Sequence, residues 1–146
     1  MIDRRALIEA AVSRFGLPYK FGAKWDPKSK DPQGPVDCSG LTKWAYAQIG
    51  ITIPDGSTEQ HIESVSPGKV MPGDLVFLEK GPGQGMHHVG LVYDDYFVIE
   101  ARGHLTVENG RDIGWRVLLR PRKEWEARPD FVAYMRPKQV VAIEGA

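Results

Sequence analysis

The sequence predicts an α+β fold in which N-terminal helices pack on an antiparallel β-sheet. Apolar residues repeat at helical spacing in the first fifty residues, whereas the second half contains short apolar segments separated by turn sequences. The predicted helices precede the predicted strands and do not alternate with them. Helices followed by strands in this order are typical of α+β proteins, whereas strict alternation would indicate a parallel sheet.

Each predicted element follows from its local pattern. Asp3 is the N-cap candidate of the first helix, and Gly16 ends it. A second helix is predicted from about Cys38 to Gln48, with Gly50 as its C-cap candidate. A polar loop rich in Pro and Gly precedes it, over residues 23–35. A helical turn is predicted at 57–62, and strands at 75–78, 89–93, 97–101, 117–119 and 131–135. One domain over residues 1–137, followed by a frayed tail at 138–146, accounts for the chain.

Composition excludes several classes of protein. Hydrophobic residues make up 42% of the 146 residues and charged residues 26%, as in ordinary globular proteins. Lys plus Arg and Asp plus Glu both number 19, so no net charge favours nucleic acid or an anionic membrane as a partner. The single cysteine cannot form an internal disulfide, and a cysteine-rich zinc site is excluded.

The N-terminal residues enter an amphipathic pattern directly, without the apolar core and cleavage site of a secretory signal. No run approaches the roughly 18 apolar residues that a membrane helix needs. We therefore expect no membrane insertion and no export by the usual signal route. We expect delivery by another route, for instance on a virion.

Cys38 is the first candidate for chemistry, because it lies where an extended segment becomes a helix. The positive end of the helix dipole favours a thiolate there. Asp37 is suited to cap this helix, which leaves the Cys38 N–H as a possible oxyanion donor. Ser39 and Gly40 are small enough for a substrate backbone to approach. The alternative is a buried structural thiol, since free cysteine is among the most buried residue types.

Four histidines compete for the role of general base. His61 lies in a polar stretch and is most simply a surface residue. His87 and His88 are adjacent on a predicted strand, so their side chains point to opposite faces and only one can meet Cys38. The residues alone leave that choice even. His104 follows Gly103 and is expected in a loop.

Four blocks of sequence, in order, resemble those of the NlpC-type cell-wall peptidases. These are papain-like cysteine peptidases that cut peptidoglycan stem peptides, commonly at the γ-D-glutamyl–diamino-acid bond. The blocks are Leu17-Pro18-Tyr19 with Asp37-Cys38-Ser39-Gly40-Leu41, Pro72-Gly73-Asp74-Leu75-Val76-Phe77, His88-Val89-Gly90-Leu91-Val92, and Phe97-Val98-Ile99-Glu100-Ala101. The resemblance implies a papain-like fold with a stem peptide as substrate and no metal or cofactor.

The resemblance also assigns roles to individual residues. It makes Cys38 the nucleophile and selects His88, which directly precedes Val-Gly, as the base. The third position, which orients the imidazole, is Glu100, with His104 as its rival. The family more often has histidine there, but glutamate is chemically suited to accept from the far ring N–H.

The remaining candidates surround the expected cleft. Tyr19 matches a family tyrosine that lines the cleft near the nucleophile, although a packing role is equally compatible with the sequence. Asp37, Ser39 and His87 are expected beside the substrate, and the alternative for His87 is a plain loop residue. Asp74 is expected to be structural, closing the turn before its strand.

Three functions are compatible with these residues. The first is hydrolysis of peptidoglycan stem peptides through an acyl-enzyme on Cys38. The second keeps the fold but makes the chain a papain-like amidase or acyltransferase on another substrate. The third is a catalytically inactive wall-binding or phage structural module, which predicts an unreactive thiol.

Overall fold

The computed structural model describes residues 1–18, 36–102, 107–108, 111–112 and 116–145. These residues form five helices and eight strands. The helices are α1 (Arg4–Val12), α2 (Cys38–Gln48), α3 (Ser57–Ile62), α4 (Arg122–Glu126) and α5 (Lys138–Glu144). The strands are β1 (Ser64–Val65), β2 (Leu75–Glu79), β3 (Met86–Val92), β4 (Phe97–Arg102), β5 (Val107–Glu108), β6 (Arg111–Asp112), β7 (Arg116–Pro121) and β8 (Phe131–Pro137). Across this described part of the chain, no helix combines the length and apolar character that a membrane span requires.

Six strands form one antiparallel sheet in the order β1-β8-β2-β3-β4-β7, and β5 pairs with β6 in a separate ribbon. The ladder between β3 and β4 contains two residue pairs, Leu91 with Ile99 and Val92 with Val98. By contrast, β4 pairs with β7 along its whole length. His88 and Glu100 therefore lie beyond the paired part of β3 and β4, where these two strands separate.

The main core lies between the inner face of the sheet and the helices α1 and α2. Side chains alternate between the two faces of a strand, so every second residue of each central strand points toward the helices. The core residues include Leu7 and Ala11 from α1, Leu41 and Ala45 from α2, and Leu75, Phe77, Val89, Leu91 and Ile99 from the sheet. This packing confirms the prediction of N-terminal helices on an antiparallel sheet, and it fixes α2 relative to β3 and β4.

A smaller apolar cluster covers the outer face of the sheet. It consists of Val76, Leu78, Val98 and Trp125, with Phe131 and Tyr134 packed against it. Trp125 is supplied by α4, which was not predicted because five residues between two strands give no helical period. The outer face is thus covered near its centre by one short helix.

The chain ends differ from the predicted pattern. Helix α1 ends at Val12 with Ser13 as its C-cap, four residues before Gly16, so Phe15 lies outside the helix and is 39% exposed. The C-terminal segment, expected as a frayed tail, forms α5. Its Val140 is fully buried, and Glu144 accepts a hydrogen bond from Arg4 at 2.7 Å. Apolar burial and this ion pair hold the segment against the domain.

Candidate active site

Cys38 is the first residue of α2 and is half-buried. The preceding residue, Asp37, has an extended backbone, and its Oδ1 accepts a hydrogen bond from the Gly40 N–H at 2.6 Å. This contact is the predicted N-cap. An N-cap of this kind satisfies one of the free N–H groups of the first turn and leaves the N–H of the first helical residue without an intrahelical partner. The Cys38 side chain therefore sits at the positive end of α2.

A buried polar network anchors the first turn of α2 to α3. The Gln60 amide nitrogen donates to the Ser39 carbonyl oxygen at 3.0 Å, and the Gln60 amide oxygen accepts from the Thr42 hydroxyl at 2.7 Å. Both side chains are almost completely buried. The sequence did not indicate this support, because Thr42 and Gln60 look like ordinary surface residues of short helices. The network fixes the position of the turn that carries Cys38.

His88 lies on β3, close enough to Cys38 for the thiol to raise the pKa of its ring. Its Nε2 lies 3.4 Å from Oε1 of Glu100. His88 is 8% exposed and Glu100 is fully buried. The structure thus places Cys38, His88 and Glu100 next to one another. The separation of β3 from β4 at this level leaves the imidazole between the thiol and the carboxylate.

The charges of these groups shift the pKa values of His88 and Glu100. Burial by itself would lower the pKa of His88, but hydrogen bonds and charge from Cys38 and Glu100 outweigh it and raise the pKa from 6.5 to about 9. Burial would raise the pKa of Glu100, but His88 and then Arg102 reverse this effect and lower it. The His88 ring is therefore a cation, and Glu100 an anion, at neutral pH.

Two further side chains hold the Glu100 carboxylate. Arg102 Nη1 donates to Oε1 at 3.0 Å, and Trp125 Nε1 donates to Oε2 at 2.6 Å. The indole ring of Trp125 also stacks on the His88 ring, with 5.1 Å between centroids and 14° between planes. The sequence analysis missed both residues. Arg102 could have been expected near Glu100, because it follows Glu100 by two residues and side chains at this spacing lie on the same face of a strand.

The other predicted site residues lie elsewhere or outside the described residues. Tyr19 and His104 belong to segments that the structure does not describe. Asp37 and Ser39 are 4% and 2% exposed, so we expect their side chains to hold the turn and not to touch a substrate. His87 is half-buried, and its Nε2 lies 2.8 Å from Oδ2 of Asp130. Within the described ranges, no group of three or more His, Cys, Asp or Glu is arranged to hold a metal ion.

Residues 16–120 match the NlpC/P60 family, a span that includes Cys38, His88 and Glu100 and more than half of the chain. The chain belongs to the NlpC/P60 family. The resemblance found in the sequence blocks is therefore confirmed.

Named relatives of this NlpC/P60 domain are described as endopeptidases or probable endopeptidases. It is 32% identical over 115 residues to a probable endopeptidase p60 of Listeria grayi, covering 75% of this chain and 20% of that protein. It is 34% identical over 88 residues to the bifunctional muramidase/DL-endopeptidase CwlT of Bacillus subtilis, covering 58% of this chain and 25% of that protein. The chain thus spans about a quarter or less of these two relatives.

Solved structures support the fold. The peptidoglycan hydrolase RipB of Mycobacterium tuberculosis superimposes with a TM-score of 0.65 at 26% identity, over 93% of this chain and 64% of that chain. Together with the observed helices and antiparallel sheet, this similarity confirms the papain-like α+β architecture of the NlpC/P60 domain.

The pKa of His88 predicts how the stability of this NlpC/P60 domain depends on pH. A folded-state pKa of about 9, compared with 6.5 in the unfolded chain, stabilises the fold fully below pH 6.5. This stabilisation is lost as the pH rises through 9. At about 1.4 kcal/mol per pKa unit, the contribution of the His88 proton to the free energy of unfolding should fall by about 3 kcal/mol over that interval. Urea unfolding at a series of pH values measures it.

The matched variant for this measurement is Glu100→Gln, which keeps the shape of the side chain but removes its charge. Because Glu100 is one of the groups that raise the pKa of His88, the variant should lose much of the fall in stability between pH 6.5 and 9. Parallel curves for wild type and Glu100→Gln would contradict the assignment of this pH dependence to the His88–Glu100 pair.

Proposed function

We propose that the chain is a cysteine peptidase that hydrolyses amide bonds in the stem peptides of bacterial peptidoglycan. The observation that carries the proposal is that the hydrogen-bonded pair of His88 and Glu100 lies beside Cys38, the first residue of α2, in a domain of the NlpC/P60 family. In this proposal Cys38 is the nucleophile, His88 exchanges the proton, and Glu100 orients and charges the His88 ring.

The first half of the proposed reaction forms an acyl-enzyme. The Cys38 thiolate attacks the carbonyl carbon of the stem-peptide amide, and the carbonyl oxygen becomes an oxyanion. The free N–H at the start of α2 is a suitable donor to that oxygen. The His88 imidazolium then gives its proton to the amide nitrogen, the C–N bond breaks, and the amine product leaves.

The second half releases the acid product. Neutral His88 takes a proton from a water molecule, whose oxygen attacks the thioester carbon. The C–S bond breaks, which regenerates the Cys38 thiolate beside a protonated His88. The buried Glu100 carboxylate stabilises the His88 imidazolium before the acyl-enzyme forms and again after the acid product is released.

We further propose that the bond cleaved is the one between γ-D-glutamate and the diamino acid. This choice rests on the resemblance of the sequence blocks to the NlpC-type peptidases, and the relative from Bacillus subtilis named as a DL-endopeptidase agrees with it. Tyr19 and His87 are the residues that we propose to lie beside the substrate, with His87 held in place by Asp130.

Digestion of purified muropeptides, followed by mass spectrometry of the fragments, tests this function. We expect two fragments whose masses sum to that of the substrate plus one water, with the cut after γ-D-glutamate. The control is the same protein treated beforehand with iodoacetamide. Because Cys38 is the only cysteine of the chain, this treatment blocks one defined thiol and should stop the cleavage.

Other outcomes point to the alternatives. A product that carries the acyl group on an added amine, with little hydrolysis, would indicate an acyltransferase, and a trapped acyl adduct on Cys38 would identify its donor. Absence of cleavage on every wall type, together with a thiol that iodoacetamide modifies slowly, would contradict an enzymatic function and favour a wall-binding module.

A further inference from the structure

Trp125 is the one aromatic side chain of α4. It contacts His88 and Glu100, the two residues that lie beside Cys38 in the candidate site. It is 2% exposed, although the helix that carries it has only five residues. It also lies beyond residues 16–120, the segment that matches the NlpC/P60 family. The role of this residue therefore has to be argued from its contacts in this chain.

The indole N–H of Trp125 determines how the Glu100 carboxylate is oriented. It donates to Oε2 at 2.6 Å, while Oε1 faces His88 Nε2 at 3.4 Å and Arg102 Nη1 at 3.0 Å. Glu100 is fully buried, so its Oε2 depends on a donor from the protein. A buried acceptor without a partner is costly, and the carboxylate would rotate toward its remaining donors.

The indole face has a second role toward His88. The two rings are nearly parallel, with their centroids 5.1 Å apart. A cation over the face of a tryptophan ring is attracted by the ring quadrupole. The stack therefore favours the protonated form of His88 and limits rotation of its ring about the side-chain bonds.

The strand that carries His88 makes room for this ring. A Cβ atom at Gly90 would lie 3.0 Å from Trp125 Cζ2 and 2.5 Å from Val98 Cγ1. A side chain at position 90 would thus displace the indole from the sheet. Gly90, two residues after His88 on the same face of β3, allows Trp125 to lie directly against the strand.

We propose that Trp125 is a positioning residue that orients the Glu100 carboxylate through its N–H and holds the His88 ring by stacking. This inference deepens the proposed function and rests on it for its catalytic consequence. Other charged groups lie nearby: Arg102, Glu124 and Arg128 line a cavity of about 80 Å³ beside Trp125, and Cys38 faces His88 from α2.

The test compares Trp125→Phe, which keeps a stacked ring but lacks the N–H, with Trp125→Leu, which lacks both. The control is Tyr134→Phe. This variant removes the hydroxyl group of a residue in the same outer cluster. That hydroxyl bonds to Arg122 and Glu126 and not to His88 or Glu100. The readouts are the NMR titration of the His88 ring and, on muropeptides, kcat and KM measured separately.

We expect the His88 titration in Trp125→Phe to move down by about one pH unit, and by more in Trp125→Leu. We expect kcat in Trp125→Phe to fall about tenfold, as for other groups that orient a catalytic side chain, with KM within about twofold of wild type. Tyr134→Phe should leave the titration and kcat unchanged. If Trp125→Leu does not fold, Trp125→Phe alone decides the question.

An unchanged titration in Trp125→Phe would overturn the proposal, and so would an equal shift in Tyr134→Phe. A rise in KM with unchanged kcat would also overturn it, since this pattern indicates a loss of substrate binding. The titration needs no substrate. A wild-type protein that cleaves no wall material would therefore refute the proposed function, while the orientation of Glu100 and His88 by Trp125 would still be tested.

Discussion

Replacing Cys38 by alanine should reduce hydrolysis of stem peptides by at least about a thousandfold, while leaving the fold intact. The thiol is the nucleophile in the proposed reaction, and no neighbouring group of the site replaces a sulfur that forms the acyl bond. The side chain is half-buried at a helix start and makes no large contribution to the core. Initial rates on a purified muropeptide, with circular dichroism of both proteins, measure the effect.

Cys38→Ser is the matched variant, because it keeps the size of the side chain and a hydrogen-bonding group beside His88. A serine hydroxyl is much harder to ionise than a thiol, so we expect almost the same loss of rate as in Cys38→Ala. Retention of more than a tenth of the wild-type rate in Cys38→Ala would contradict a covalent mechanism through this residue.

Replacing Asp74 by alanine should lower the free energy of unfolding by about 3 to 5 kcal/mol. Asp74 is fully buried before β2, and its carboxylate accepts two hydrogen bonds from Arg136 of β8, at 2.8 and 2.9 Å. It also accepts from the Met71 N–H at 2.8 Å and lies 3.7 Å from Arg4. The alanine variant would leave two largely buried guanidinium groups without their shared anion.

The melting temperature should accordingly fall by about 10 °C in Asp74→Ala. Asp55→Ala is the control, because it breaks an ion pair with Lys43 in which the Asp55 side chain is 56% exposed. A pair of this kind contributes less than about 1 kcal/mol. Equal melting temperatures for Asp74→Ala and wild type would show that the buried pair does not hold β2 and β8 together. The partners of the Asp74 side chain are Arg4, Met71 and Arg136 and not Cys38, His88 or Glu100, so this prediction is independent of the proposed reaction.

The start of α2, where Cys38 lies, could be predicted well because it depends on local chemistry. A capping aspartate, a cysteine and small residues before an apolar helical period determine where α2 begins, and α2 spans Cys38–Gln48 as expected. The antiparallel strands were likewise visible as short apolar runs between turns. In both cases the structural preference is contained within about ten residues of chain.

The choice between His87 and His88 could not be made from local pattern. Which of two adjacent strand residues meets Cys38 depends on the register of β3 against β2 and β8, and this register is set by long-range pairing. The blocks shared with the NlpC-type peptidases supplied that information. In the structure His88 lies beside Cys38 and Glu100, whereas His87 bonds Asp130.

The contact of Trp125 with Glu100 and His88 could not be predicted from the sequence, for a different reason. Trp125 follows β7 by only four residues, in a helix too short to show a period, and its partners Glu100 and His88 come from two other strands. Buried tryptophan usually finds a partner for its N–H, but the sequence does not tell which acceptor it meets. Only the assembled outer face of the sheet reveals that contact.

The central claim is that His88 activates Cys38, and the rate of Cys38 alkylation by iodoacetamide at pH 7 tests it most directly. Only a few per cent of an ordinary thiol is ionised at this pH. We therefore predict that wild type reacts at least about tenfold faster than His88→Gln, while His87→Gln reacts like wild type. Equal rates in wild type and His88→Gln would contradict the claim, and this result would not depend on the substrate.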